Sequence, residues 1–232
     1  MKKILAMVMC VCLAVMFTAC GKGKDQTDSE YVKEKGKLVI GITDYAPMDY
    51  KKTEGSGEWI GFDADMAKAF AKELGVEAEF VVIEWDNKIM ELKGKSIDCV
   101  WNGMTITDEV KNGMEVSNAY CKNTQVVVVK KDVADKYKTI ESVKDLKFAA
   151  EAGSAGEKAL KDLGYSVTAV GAQSDALMEV NAGTSDAAVI DLLMAGAMIG
   201  EGTSYENLAY TVGIAEEEDF GAGFRKGSDL AE

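Results

Sequence analysis

The chain has no histidine, one proline and five cysteines among its 232 residues. Without histidine, Ser-His-Asp and Cys-His catalysis are excluded, and so are metal sites that depend on an imidazole ligand. Three of the cysteines lie within the first 20 residues, which leaves Cys99 and Cys121, too few for a metal cluster. We therefore expect no metal, no cofactor and no enzymatic activity.

Positive charge is also scarce, since 26 lysines and arginines face 39 aspartates and glutamates for a net charge of −13. Residues 1–19 carry two lysines and no acidic residue, so their removal changes the net charge to −15. Such a surface repels a polyanion, and we expect no binding to nucleic acid. The charge suits a soluble exported protein and does not identify a ligand.

The N-terminal apolar run is too short to cross a bilayer. Two lysines precede 14 apolar residues at positions 4–17, fewer than the roughly 20 that a transmembrane helix requires. This pattern, with a small residue before Cys20, is typical of a secretory signal over residues 1–19 that ends at a lipid-modified cysteine. A diacylglycerol on Cys20 would hold the protein at the outer face of the cell membrane, at the cell surface or in a periplasm. Residues 20–36 are polar, and we expect a lipid anchor and solvated tether there.

The two remaining cysteines leave one question open. An extracytoplasmic location would permit a disulfide between Cys99 and Cys121. However, Cys99 lies in an apolar strand, where a buried thiol is the simpler interpretation, and nothing in the sequence brings the two side chains together.

Apolar periodicity predicts two series of alternating strands and helices. The predicted strands are 37–42, 77–83, 97–101, 125–129, 147–150, 166–170 and 187–190. The predicted helices are 62–74, 87–93, one that starts at 107–109, a turn at 142–146, and then 156–163, 175–182 and 192–200. Strand-helix-strand order favours mainly parallel sheets flanked by helices, and hence an α/β fold with two lobes.

Two motifs and the spacing between them are specific. These are GFDADMAKAFAKELG at residues 61–75 and, after a short strand, NGMTITDE at residues 102–109. Together they resemble the bacterial extracellular solute-binding proteins of family 3, from about Lys37 to the last residue. Members of that family are the capture subunits of ABC importers for amino acids and similar polar solutes.

The resemblance implies a two-lobed fold of the type II periplasmic-binding-protein kind. Hinge crossings near residues 121–125 and 213–219 would separate the lobes, and the segment FGAGFRKG at 220–227 would return the chain to the first one. The expected division gives lobe 1 residues 37–122 and 219–232, and lobe 2 residues 123–218.

In open α/β sheets, ligands bind outside the carboxyl ends of the strands. The resemblance implies that Tyr45, after the first strand, and Trp85, after the strand 77–83, are cleft aromatics that stack on the apolar or cationic part of a ligand. Asp44 is a further candidate, one residue out of the family's register. Core packing is the alternative for the two aromatics, and a simple turn is the alternative for Asp44.

A second group of candidates follows the strand 97–101. Gly103, Met104 and Thr105 match the family segment that offers main-chain groups and a hydroxyl to the α-groups of an amino acid, and Gly103 allows close backbone approach. Both Thr105 and Thr107 also suit the N-cap of the following helix. We expect Thr105 to bind ligand and Thr107 to cap the helix.

Lobe 2 contributes a third group. The loop EAGSAG at residues 151–156 joins a strand to a helix, so its amides and the positive helix end predict an anion site for a carboxylate, with Ser154 as a contact. A tight glycine turn is the alternative. Asp191 matches the family's acid that pairs with a ligand ammonium, and its alternative role is the N-cap of the next helix.

The sequence departs from the family at Val110. Relatives that bind amino acids place an arginine there, which grips the α-carboxylate with two hydrogen bonds. Losing those bonds, at ~1.5–3 kcal/mol each, predicts weaker binding of a zwitterion unless another group compensates, and Lys111 is the neighbouring cation. Because Glu151 makes the cleft more acidic, we expect a basic amino acid or an amine-like ligand.

A second departure is the end of the chain. Relatives carry two more helices after the returning strand, whereas this chain stops at Glu232, which we interpret as a truncated C-terminus. We expect exposed apolar surface on lobe 1 and a loss of stability on the order of several kcal/mol.

The resemblance implies a monomeric receptor whose lobes close over the ligand by a hinge motion and which then docks on the permease subunits of an ABC importer. Two other functions share the scaffold. One is an exported enzyme similar to cyclohexadienyl dehydratase, with a carboxylate such as Glu151 as acid or base, and the other is a lipoprotein that senses a ligand. The missing histidine and arginine disfavour the enzyme.

Overall fold

Two five-stranded sheets form the framework of a computed structural model, which describes residues 26–53 and 55–232. The predicted signal peptide and Cys20 lie outside these residues. The strands are β1 Lys37–Ile42, β2 Tyr50–Lys51, β3 Trp59–Ile60, β4 Glu77–Val82, β5 Cys99–Val100, β6 Met114–Val116, β7 Cys121–Asn123, β8 Gln125–Lys130, β9 Phe148–Glu151, β10 Val167–Val170, β11 Ala187–Asp191, β12 Leu208–Gly213, β13 Glu218–Phe220 and β14 Gly223–Arg225.

Helices cover both sheets. The α-helices are Asp28–Lys35, Phe62–Leu74, Lys88–Gly94, Asp108–Gly113, Ile140–Val143, Ala155–Asp162, Gln173–Ala182 and Leu192–Met198. Short 3-10 helices lie at Trp85–Asn87, Lys131–Lys136 and Asp229–Ala231. None of the helices in the described ranges combines the length and the apolarity that spanning a membrane requires.

The fold is α/β as predicted, and each sheet is mixed, with parallel pairings on one side and antiparallel pairings on the other. The first has the order β4-β1-β5-β14-β6 and the second the order β10-β9-β11-β8-β12. Strand β1 runs parallel to β4 and β5, and β9 runs parallel to β10 and β11. Within these two sheets, every antiparallel pairing involves β8 or β14. These two strands enter their sheets directly from a crossing strand rather than through a helix, and each runs opposite to its neighbours.

The two crossings pair with each other. Strands β7 and β13 form an antiparallel ladder in which Cys121 lies opposite Phe220 and Asn123 opposite Glu218. Both connections between the sheets therefore lie side by side, which is the geometry of a hinge.

The helix Phe62–Leu74 illustrates how sequence sets the packing. It begins after Gly61, whose φ of 123° and close approach to the main chain leave no room for a Cβ, which would lie 2.6 Å from the oxygen of Pro47. It ends at Gly75 in the left-handed conformation, as the sequence predicts. Its small buried residues pack against β1 in one core cluster. This close packing fixes the loops at the carboxyl ends of β1 and β5.

The expected tether is wrong from Asp28 onward, because Asp28–Lys35 is a helix packed on the first sheet. Thr27 caps it in a reciprocal capping box, and Val32 is fully buried. Both carboxylate oxygens of Asp28 accept hydrogen bonds of 2.9 Å from Nε of Arg225. Charged contacts dock this helix on the sheet, and it has no broad apolar face. Its sequence is therefore as polar as that of a solvated linker.

Lobe 1 has exposed apolar side chains among the described residues. Its exposed large apolar side chains are Phe62, Met66, Val82 and Met90, while lobe 2 exposes Ile140, Leu163, Met178, Leu192 and Tyr210. Leu230, close to the end of the chain, is buried in the same cluster as the helix Asp28–Lys35. The two cysteines are both free thiols, and Cys99 is fully buried.

Candidate ligand-binding site

A cavity of about 300 Å³ lies between the two sheets, at the low end of the ~300–1,000 Å³ usual for small-molecule sites. It is lined by loops that follow β1, β4 and β5 on one side and by the ends of β9 and β11 on the other. Eight predicted residues line it together: Tyr45, Trp85, Gly103, Met104, Thr105, Glu151, Ser154 and Asp191.

Asp44 does not belong to this set. Its side chain is exposed and does not line the cavity, whereas the adjacent Tyr45 is buried. Neighbouring residues in an extended segment point in opposite directions, so a loop that turns Tyr45 inward turns Asp44 outward. The prediction of Asp44 as a site residue is therefore corrected.

Tyr45 and Gly103 form the floor on the lobe 1 side. Gly103 has a φ of +55°, and a Cβ at this position would overlap the Tyr45 ring. The Tyr45 hydroxyl is buried and has no hydrogen-bond partner among the described residues. An unsatisfied phenolic group in a cavity wall suits a polar ligand atom.

Fewer main-chain groups around Gly103 are available to a ligand than predicted. Its N–H donates to Oδ2 of Asp63 at 2.5 Å, and the carbonyl of Met104 accepts from the N–H of Gly221 at 3.0 Å. Thr107 caps the next helix by accepting from the N–H of Val110 at 3.2 Å, as predicted. The hydroxyl of Thr105 makes no such bond to any described residue, which leaves it for a ligand.

A cation, Lys88, lies beside Trp85 and was not among the predicted site residues. Lys88 begins the helix Lys88–Gly94, and its side chain turns back into the cavity wall. Nζ lies 4.9 Å from the centroid of the Trp85 ring and donates to the Trp85 carbonyl at 3.1 Å and to the Gly153 carbonyl at 3.0 Å. Burial lowers the pKa of Lys88. Because Gly153 belongs to lobe 2, this contact joins the two lobes.

Val110 lies in the cavity wall, and its buried side chain offers no hydrogen-bond donor there. Lys111, the neighbouring cation, is exposed and does not line the cavity. Lys111 therefore does not replace the family's arginine.

Some hydrogen-bonding groups of the glycine loop in lobe 2 already have partners within the protein. The N–H of Gly153 donates to Oε2 of Glu157 at 3.0 Å, and the hydroxyl of Ser154 accepts from the N–H of Glu157 at 3.0 Å. Ser154 is thus the N-cap of the helix Ala155–Asp162. Glu157 occupies part of the anion site that the loop sequence predicts.

Asp191 lies in a cradle of three side-chain amides. Oδ1 accepts from Gln125 at 2.7 Å and from Asn123, and Oδ2 accepts from Gln173, whose own Oε1 accepts from the N–H of Asp191 at 2.8 Å. The antiparallel register of β8 and β11 sets Gln125 directly opposite Asp191. The carboxylate makes no capping bond to the helix that follows, so the capping alternative is excluded.

The same amides connect Asp191 to the hinge. Oε1 of Glu218 on β13 accepts from Asn123 at 2.7 Å and from Gln125 at 2.6 Å. Burial, with the nearby charge of Glu218, raises the pKa of Asp191 to about 7. A ligand cation next to Asp191 would stabilise its ionised form and act on the hinge strands through two shared donors.

Residues 38–231 match the family model of the bacterial extracellular solute-binding proteins, family 3. The chain belongs to this family. The protein is similar over its full length to the arginine-binding extracellular protein ArtP of Bacillus subtilis (strain 168), with 32% identity over 240 residues, 100% of this chain and 89% of ArtP.

Solved structures give the same assignment. An amino acid ABC transporter substrate-binding protein from Streptococcus pneumoniae Canada MDR_19A, bound to L-arginine, has a TM-score of 0.81 at 30% identity, over 89% of this chain and 88% of that one. The ancestral amino acid-binding protein AncCDT-1, a precursor of cyclohexadienyl dehydratase, has a TM-score of 0.75 at 34% identity, over 86% of each chain. These relatives are binding proteins, and the family 3 protein accordingly binds a solute rather than converting one.

Three of the charged side chains that line the cavity of this solute-binding protein are buried and form no ion pair with a described residue. Glu151 is 2% exposed with Oε1 unpaired, Asp191 is 3% exposed, and Lys88 is 8% exposed. Burial raises the pKa of Glu151 to about 8. Glu157 is also buried but pairs with Lys161 at 2.7 Å. Among the buried side chains, two carboxylates and one ammonium thus remain to meet a ligand, and the exposed carboxylates of Asp86 and Glu109 also line the cavity.

Proposed function

We propose that this protein captures a basic amino acid such as arginine in the cavity between its lobes and delivers it unchanged to an ABC permease. The observation that carries the proposal is the pair of buried carboxylates, Glu151 and Asp191, in one cavity wall. Buried carboxylates without counter-ions are costly, and a ligand with two positive groups offsets that cost.

The cavity walls match such a ligand. Tyr45 and Trp85 both line the cavity, and their aromatic faces suit the stem and the cationic head of an arginine side chain. Thr105 provides a hydroxyl for the α-groups. ArtP is named as arginine-binding, and the Streptococcus pneumoniae structure contains L-arginine, which favours the same ligand class here.

Closure over the ligand follows from the position of the hinge. The bond from Lys88 to Gly153 joins the lobes across the cavity and supports closure of the lobes over a ligand. The ladder of β7 and β13 provides two adjacent strands about which the lobes separate. We propose lobe boundaries near 122 and 219, with residues 123–218 as lobe 2, and release of the ligand from the open form.

The cellular setting completes the proposal. A lipid on Cys20 would anchor the receptor at the outer face of the membrane, and residues 21–25 would connect it to the helix Asp28–Lys35. The receptor would act as a monomer and dock in its closed form on the permease. The acidic surface would affect the rate at which the receptor and a ligand meet rather than which ligand binds.

Isothermal titration calorimetry of residues 21–232 tests the proposal. L-arginine should bind tightly, and L-citrulline, which replaces the guanidinium with a neutral ureido group of similar shape, should bind at least about tenfold more weakly. Tight binding of L-glutamate with no binding of basic amino acids would contradict it. Recovery of unaltered arginine from the complex would support capture without chemical change, and conversion of a prephenate-like acid would support the enzyme alternative.

A further inference from the structure

Loss of the family's arginine leaves the ligand carboxylate without an obvious partner in the cavity. Val110 has no donor, and the exposed Lys111 does not line the wall. The loop amide of Gly153 already donates to Glu157. Two other lysines line the cavity, but Lys158 pairs with Asp162 at 2.6 Å and Lys161 pairs with Glu157 at 2.7 Å, and both are exposed.

Lys88 differs from all of these. It is the one lysine among the cavity-lining residues that is buried, and no carboxylate of the described chain lies within 4.0 Å of its Nζ. Its ammonium has three N–H donors, of which the carbonyls of Trp85 and Gly153 accept two. One donor therefore remains on a buried ammonium, and the carboxylates of Glu109, Glu151 and Asp86 act on it only from beyond ion-pair distance.

A buried cation in this state is stabilised by an anion that enters the cavity. We propose that Lys88 is the residue that receives the α-carboxylate of the ligand, in place of the arginine that Val110 replaces. The inference rests on the proposed function, and it narrows the ligand to a cationic amino acid with a free carboxylate. A decarboxylated amine fits the two acidic groups but leaves Lys88 unpaired.

The same geometry makes Lys88 a sensor of closure. Nζ donates to the Gly153 carbonyl across the cleft. The ammonium therefore reaches the orientation in which it would receive the carboxylate only when the two lobes are together. A ligand that neutralises Lys88 would therefore favour the closed form. An interlobe contact alone would favour closure equally for every ligand, which gives the two roles different signatures.

Measuring the binding of two ligands to two proteins distinguishes a role of Lys88 in carboxylate binding from a role in lobe closure alone. The ligands are L-arginine and agmatine, which is arginine without its carboxylate, and the proteins are residues 21–232 with and without Lys88→Met. We expect calorimetry to show that Lys88→Met weakens L-arginine by about tenfold to hundredfold while agmatine changes by less than about threefold. Lys88→Arg should retain the preference for L-arginine, and the exposed Lys111→Met is the matched control without effect.

The outcomes distinguish this inference from the proposed function. Equal weakening of both ligands by Lys88→Met would overturn the inference and assign Lys88 to closure alone. An unchanged affinity for L-arginine would overturn it as well. If the unsubstituted protein bound neither ligand, the proposed function itself would fail. Circular dichroism melting of each variant, with Lys88→Arg as the second variant, separates a folding defect from a binding defect.

Discussion

Lys88 of lobe 1 donates a hydrogen bond to the main-chain oxygen of Gly153 in lobe 2, with 3.0 Å between the two atoms. The contact requires close approach, because a Cβ on Gly153 would lie 2.7 Å from Cα of Asp86. Gly153 also has a φ of +70°, which disfavours other residues. Lobe closure and the cavity wall therefore depend on the same glycine.

Gly153→Ala should impair closure. The added methyl group meets the main chain of Asp86 only when the lobes are together, so we expect L-arginine affinity to fall by at least about tenfold. Small-angle scattering with arginine should show a more open form than the unsubstituted protein gives. Gly164→Ala is the matched control, since Gly164 has a φ of +75° and open space around it. An equal loss of affinity in both variants would contradict the role of interlobe contact.

Asp191→Asn should remove one of the two negative charges that meet the ligand. We expect affinity for L-arginine to fall by about hundredfold, because a charged hydrogen bond in a buried site is lost. Asp44→Asn should change it by less than about threefold, since that side chain is exposed and outside the cavity. Calorimetry on both variants compares an interior with an exterior carboxylate. A larger effect of Asp44→Asn would contradict the structural assignment.

Binding of L-arginine should strengthen as pH rises from about 6 to about 8. In this window the carboxyls of Asp191, with a pKa of about 7, and Glu151, with a pKa of about 8, lose their protons. A cation binds the ionised forms more tightly, while neutral L-citrulline should show a smaller dependence. Titrations at a series of pH values measure both slopes. Identical slopes for the two ligands would contradict the prediction.

Stability of the ligand-free protein should change in the opposite direction. A carboxyl with a raised pKa binds its proton more tightly in the folded chain, so the free energy of unfolding falls as pH rises from about 4 towards 8. Buried Asp49, with a pKa of about 8, and Asp63, with a pKa of about 6, add to this trend. Denaturant titrations at pH 5.5 and pH 8 check it. Greater stability of the ligand-free form at pH 8 would contradict it.

Arg225→Met should destabilise the fold without a specific effect on the ligand. Arg225 is buried and contacts Asp28, the carbonyl of Ile97 at 2.8 Å and Asp98 at 3.3 Å. Removing one partner of a buried ionic network costs ~3–5 kcal/mol. Urea unfolding measures the loss, and Lys37→Met, which breaks an exposed pair with Glu79, is the control with a nearly unchanged midpoint.

The two free cysteines should differ in reactivity. Cys99 is fully buried and burial raises its pKa, whereas Cys121 is partly exposed on a hinge strand. We expect one thiol of residues 21–232 to react with a maleimide in the native state and two after denaturation. Mass spectrometry locates the modified residue, and labelling of Cys99 in the native state would contradict the burial.

Regular elements were predicted from the sequence where apolar periodicity and caps agree. The helix Phe62–Leu74 and the strand β1 have the predicted bounds, and Thr107 caps its helix as expected. The helix Asp28–Lys35 was missed because Val32 is its one buried residue and charges hold it in place. Periodicity reports apolar burial and does not report ionic docking.

The site was predictable where a side chain follows a strand end. Asp191 and Glu151 are the last residues of their strands, so the topological rule finds them. Gln125 and Gln173 are far apart in the sequence and meet at Asp191 through strand order and register. Lys88 was missed because a lysine at the start of a helix has the pattern of a solvated residue, and its direction depends on the 3-10 helix Trp85–Asn87 before it.

A crystal structure of residues 21–232 grown with L-arginine tests the central claim most directly. We predict one arginine in the cavity between Tyr45 and Trp85, with its two cationic groups near Asp191 and Glu151 and with the lobes closed. Arginine bound elsewhere, or an arginine-saturated crystal with this cavity empty, would contradict the account.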